Sequence, residues 1–104
     1  MVKIKGIKFD FGSEELVIPP LSLGALEQLK ADIEAFTGDA RDNKQLATVI
    51  DAAYAALRRN YPDMTREQVA ELIDLANFID VFDCVMDVGG LRRKEIEAGE
   101  ITGN

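Results

Sequence analysis

At Pro19-Pro20 the spacing of apolar residues changes period, and this switch constrains the fold of the chain more than any other feature. Before it, Ile7, Phe9 and Phe11 alternate with Lys8 and Asp10, Gly12-Ser13 offers a two-residue turn with glycine first, and residues 14–18 carry Leu, Val and Ile. Alternation on both sides of a glycine-led turn predicts a β-hairpin. The apolar parity flips at Gly6, because Val2 and Ile4 are even-numbered, and this predicts a bulge there. The prolines close the second strand, and beyond them apolar residues recur at intervals of three and four, the helix period. A chain of 104 residues has room for one small domain. The expected fold is α+β, mainly α: a β-hairpin over 1–20 and a compact bundle of three to four helices over 21–88, forming a single domain 1–88, then a flexible polar C-terminal tail over 89–104.

Capping signals punctuate the helical part. Ser22 is placed to cap the first helix, with Leu21 and Leu26 as a hydrophobic staple and Leu26, Leu29, Ile33 and Phe36 on one face. Gly38 reads as its stop. Asp42 and Gln45 stand at capping-box spacing ahead of a second helix, in which Leu46, Val49, Ile50, Ala53, Tyr54 and Leu57 recur at helical intervals until Asn60 and Pro62 end it. Thr65 with Gln68 is a second capping box and Met64 with Val69 a second staple, followed by a buried stripe of Val69, Leu72, Ile73 and Ala76. Asn77, with Asp80 three residues on, either caps a fourth helix or marks a bend in the third. The helical pattern runs to Val88, and Gly89-Gly90 ends it. There is no internal repeat and no low-complexity tract.

Charge and chemistry narrow the function. The chain has no histidine, so it lacks the commonest general base and the commonest transition-metal ligand, and the expectation is a protein that is not an enzyme and uses no cofactor or metal. Twelve Lys+Arg against 19 Asp+Glu give a net charge of −7, which opposes binding to nucleic acid or to anionic membranes. The charge has an address. Residues 1–20 sum to zero, as do residues 89–104, whereas residues 61–88 set seven carboxylates against the single cation Arg66, a net −6. The lone Cys84 forms no internal disulfide, the start of the chain lacks an apolar leader, and the longest uncharged stretch, 16–26, is too short to span a bilayer. A cytoplasmic protein is expected.

At 100° per residue, Asp80, Asp83 and Asp87 fall within about 60° of arc on the last helix, opposite Phe78, Val81, Phe82 and Val85. Three aspartates in a stripe suit a hard cation, but a calcium loop starting at Asp74 would require oxygen ligands where Ala76 and Phe78 stand. The stripe reads as the solvated face of an amphipathic helix. Asp74, Asp80, Asp83 and Asp87, together with Leu91, Arg92 and Arg93 of the tail, are the candidate partner-binding residues. Cys84 flanks the apolar stripe with nothing to activate it and reads as a small buried hydrophobe. Arg58-Arg59 complements the dipole at the end of the second helix. Thr65-Arg66-Glu67-Gln68-Val69-Ala70 has the look of the first helix of a helix-turn-helix, so a small acidic regulator acting through DNA or a DNA-binding partner is the alternative function. Against it, the helix that follows carries aspartates where the major groove demands cations or amides.

A family resemblance runs along nearly the whole chain. Pro19-Pro20-Leu21-Ser22-Leu23-Gly24-Ala25-Leu26, then Val49-Ile50-Asp51-Ala52-Ala53, Leu57-Arg58-Arg59-Asn60-Tyr61-Pro62-Asp63-Met64-Thr65, Val69-Ala70-Glu71-Leu72-Ile73-Asp74 and Val85-Met86 follow one another in an order that resembles the tail assembly chaperones of long-tailed bacteriophages and prophages. The resemblance implies a small, mainly helical, non-catalytic protein, corresponding to the short, non-frameshifted form. It would hold the tape-measure protein soluble, recruit tail-tube subunits, and be absent from the finished particle. The family supplies no catalytic residue to carry over, and the sequence leaves room for a homo-oligomer.

Overall fold

The computed structural model describes residues 4–88. Two short strands precede four helices: β1 (Ile7–Asp10), β2 (Glu15–Ile18), α1 (Leu23–Glu34), α2 (Asn43–Leu57), α3 (Arg66–Leu72) and α4 (Phe78–Val88). The architecture is α+β, mainly α. The tail expected over 89–104, with Leu91, Arg92 and Arg93, lies outside the described residues, as does Val2.

β1 and β2 pair antiparallel in the register Ile7↔Ile18, Lys8↔Val17, Phe9↔Leu16 and Asp10↔Glu15. The Phe11 amide donates to the Glu14 carbonyl at 2.9 Å, leaving Gly12 and Ser13 as the two turn residues. Gly12 sits at φ +95°, a conformation glycine adopts without strain, and its amide donates to Asp10 Oδ1 at 2.8 Å. Phe9, Phe11, Leu16 and Ile18 share the inward face, with Phe11, Leu16 and Ile18 buried. The parity change at Gly6 has a cause other than the expected bulge. Strand pairing begins only at Ile7, and a Cβ on Gly6 would lie 2.0 Å from the Ile18 carbonyl oxygen and 2.8 Å from Pro19 Cα. The glycine lets the chain cross the end of β2 at backbone contact.

α1 starts as its cap dictates, with Ser22 Oγ accepting from the Ala25 amide at 3.1 Å. It ends at Glu34, earlier than the Gly38 stop expected from sequence, and Gly38 serves the following loop at φ +85°. No residue of α1 is fully buried. Phe36, just past its end, stacks on Phe82 of α4 at 4.0 Å between ring centres.

α2 is the centre of the molecule. It packs against α1, α3, α4 and β2, and no residue from Gln45 to Leu57 is fully exposed. Ala52, Ala53 and Ala56 are fully buried, their small side chains admitting the neighbouring elements closely, alongside Val49 and Leu57. The expected capping box at its start is only half formed. Asp42 caps, accepting from the Lys44 amide at 2.9 Å, but Gln45 turns away and is buried. Its Oε1 accepts from the Thr37 amide at 2.7 Å and the Gly38 amide at 3.1 Å, while its Nε2 donates to the Ala35 carbonyl at 3.1 Å. One side chain thus satisfies the backbone that α1 leaves open at its exit.

α2 stops at Leu57, and Asn60, expected only as a stop, is buried and tied to the N-terminal segment. Its Oδ1 accepts from the Ile4 amide at 2.7 Å and its Nδ2 donates to the Ile4 carbonyl at 2.8 Å. Tyr61 Oη accepts from the Val17 amide at 2.9 Å. Ladder alternation turns that amide away from β1, so Tyr61 occupies the outer edge of β2. Arg59 donates to the Pro20 carbonyl, a second tie between the end of α2 and the hairpin exit.

α3 forms the complete capping box expected of Thr65 and Gln68, and Val69 is its buried residue. Leu72 and Ile73 are half-buried, but Ala76, placed in the stripe by spacing alone, is exposed in the turn after the helix. α4 is a separate helix. Phe78, Val81, Phe82, Cys84, Val85 and Met86 are all buried, an arc of roughly 200° at the helical repeat, which makes it the second core element.

Candidate functional site

The acidic residues singled out from sequence separate into two kinds. Asp74 is structural: its Oδ1 accepts from the amides of Ala76 and Asn77, both at 2.9 Å, while its own amide donates to Asn77 Oδ1 at 2.8 Å. Asn77 Nδ2 reaches back to the Leu72 carbonyl at 3.1 Å, so Asp74 and Asn77 together knit the turn between α3 and α4. The Asn77 side chain therefore closes the preceding turn and does not pair with Asp80. On α4, Asp80 is exposed and Asp83 and Asp87 are half-buried along the solvent strip. Among the described residues, no three His, Cys, Asp or Glu side chains gather where they could hold a metal ion.

Cys84 is buried beside this strip. Burial, then the charge of Asp87, pushes its thiol up from 9.0 to about 11, so it stays protonated at neutral pH and is a poor nucleophile. Several cations are held locally. Arg66 bonds Asp51 at 2.7 Å across α3 and α2, Lys44 approaches Asp32 at 3.9 Å, and Arg58 lies 5.8 Å from the centre of the Tyr54 ring.

Two surface depressions among the described residues bear on a site. The larger, about 720 Å³, lies between the hairpin turn at Glu14, the α2–α3 link and α3. Its central polar groups are engaged in the fold: Asn60 with Ile4, Tyr61 with Val17 and Gln68 with Thr65. The smaller, about 230 Å³, is apolar and runs between α2 and the α3–α4 turn. Val49 and Phe78 form its floor, Leu46, Ile50 and Ile73 its walls, and Leu75 stands beside it 73% exposed, with Asp74 at the rim. Sequence reasoning missed this groove. The available signal was Leu75 itself, an aliphatic residue between the two turn-forming side chains Asp74 and Asn77.

α3, a short turn and α4 follow in helix-turn-helix order, yet Phe78–Val88 contains no Lys or Arg. Among the described residues, no helix is long and apolar enough to cross a membrane. No family model, no curated protein and no solved structure matches this chain. What the fold defines is a mainly helical α+β arrangement organised around α2, with an apolar groove between α2 and the α3–α4 turn.

Proposed function

We propose that this chain is a tail assembly chaperone of a long-tailed bacteriophage or prophage. It binds the tape-measure protein, helps to recruit tail-tube subunits, acts in the host cytoplasm without catalysis, and is left out of the finished virion. The observation that supports this reading is that several of the residues bearing the resemblance hold the fold together. Ser22 caps α1, Val49 and Ala53 lie in the core, Asn60 and Tyr61 lock the hairpin, Thr65 caps α3, and Val69 and Val85 are buried. Helices that leave an apolar groove beside abundant charge also suit a protein that holds a client in solution.

Co-expression with a tape-measure protein encoded in the same genome tests the proposal. The expected result is a soluble client that co-purifies with this chain. Unchanged client solubility with no recovered complex would remove the reading. The regulator alternative predicts a salt-dependent shift of duplex DNA at micromolar protein, and the carboxylates on α4 oppose it.

A further inference from the structure

The two edges of the hairpin differ. On β2, the Val17 amide that points away from β1 is taken by Tyr61 Oη at 2.9 Å. On β1, ladder alternation turns the amide and carbonyl groups of Lys8 and Asp10 outward, since these residues pair with Val17 and Glu15. Among the described residues the sheet ends there. Exposure follows the open edge. Ile7 and Ile18 stand directly opposite each other, yet Ile18 is fully buried and Ile7 is 39% exposed, so the core covers the β2 side and leaves the β1 side bare. An uncapped strand edge beside an exposed β-branched side chain is a template for a further strand.

Charge and register together say which strand it is. Residues that turn their backbone groups outward must meet residues that do the same, and on β1 these are Lys8 and Asp10. When β1 meets a second β1 in antiparallel sense about a two-fold axis at Phe9, Lys8 of each copy stands opposite Asp10 of the other, and Ile7 stands opposite Phe11. A slip of two residues in either direction sets Lys8 against Lys8 or Asp10 against Asp10, so the register centred on Phe9 is the one that opposes unlike charges. Within one copy Asp10 already faces Glu15, a like-charge pair that an incoming Lys8 on the same face offsets. Residues 1–20 sum to zero charge, so two hairpins approach without the repulsion that the acidic stretch 61–88 imposes on other faces.

We infer that β1 pairs antiparallel with β1 of a second copy of this chain, joining two hairpins into one continuous sheet across a two-fold axis. Lys8 and Asp10 exchange backbone hydrogen bonds across the join, and their side chains form two symmetry-related ion pairs. A strand of four residues offers a small interface, so the dimer is weak and populated at high micromolar protein.

Sedimentation velocity on the full chain over a range of concentrations should show a monomer–dimer equilibrium that weakens as salt rises. Lys8→Glu and Asp10→Lys should each weaken dimerisation about tenfold or more, since each sets like charges opposite one another on both sides of the axis. An equal mixture of these two variants should dimerise again, because every cross-strand pair in the mixed dimer opposes unlike charges. Asp10→Asn keeps the oxygen that accepts from the Gly12 amide and should weaken association in the same direction, which separates the lost charge from any damage to the turn. Leu23→Ser, at an 82% exposed leucine of α1, should leave the equilibrium unchanged. Hydrogen exchange at the Lys8 and Asp10 amides should slow as concentration rises, while the Phe9 amide, which already faces β2, should not respond. Thermal melts matching the parent's confirm that the variants fold, and Lys8→Glu with Asp10→Asn decides the matter if Asp10→Lys does not. A chain that stays monomeric at high micromolar protein, a dimer indifferent to Lys8→Glu, or a mixture of the two folded charge variants that stays monomeric would overturn the assignment. So would loss of the dimer in Leu23→Ser or Leu75→Ser, which would place the contact on apolar surface elsewhere.

Discussion

Two buried amides, Gln45 and Asn60, show how much of this structure depends on single polar side chains. Each serves backbone groups distant from its own helix turn, and each loses more than one hydrogen bond when truncated. Asn60→Ala should therefore cost about 1–3 kcal/mol, read from urea denaturation, because the Ile4 amide and carbonyl lose their partner. Asn60→Asp should not restore the loss, since a carboxylate would then face the Ile4 carbonyl. Cys84 gives a pH signature. Its folded pKa is raised from 9.0 to about 11, so the unfolded chain releases the thiol proton first as pH rises. The contribution of the neutral thiol is fully present below about pH 9 and is lost between about 9 and about 11. Over that window the decline of stability with pH should be shallower in Cys84→Ala than in the parent, as measured by denaturation at a series of pH values.

At the level of elements, the sequence was most informative where signals are local. Ser22, Asp42 and Thr65 were identified as caps because capping depends on residues two or three positions apart, and the hairpin was legible from alternation around Gly12-Ser13. The errors share a different cause, competition from across the fold. Gln45 had the spacing of a capping box, but the open end of α1 offered it a buried alternative with three bonds. Asp74 is exposed as its charge suggests, but spacing did not announce its second role, as acceptor for two amides of the short α3–α4 turn. Asp80, at the other end of that comparison, remains exposed as the helical pattern required, whereas the groove depends on α2 and the turn meeting and no local pattern announces it. Asp74→Ala should lower stability by about 1–2 kcal/mol, because two turn amides lose their acceptor. Asp80→Ala should stay within about 0.5 kcal/mol of the parent. Paired thermal melts separate the two roles.

Across the whole molecule, cohesion radiates from α2. Leu57 is fully buried at its end, and Leu57→Ala should cost about 2–5 kcal/mol and lower the melting temperature by about 8 °C or more. Native-state hydrogen exchange should protect the amides of α2 and α4 longest and release those of α1 first, since α1 buries no residue completely. The ties between the hairpin and the rest carry a further consequence, for the chain as it is made. The Ile4–Asn60 pair spans 56 positions and the Val17–Tyr61 bond 44, so both anchors of the hairpin and its lead-in belong to residues made much later. While the ribosome is still adding α2, the outer edge of β2 has no hydroxyl to occupy it and the inward phenylalanines have no α4 to cover them. The hairpin is thus made well before the residues that cover it, and until they emerge its strand edge and phenylalanines stand open to capture by a cellular chaperone or by a neighbouring nascent chain.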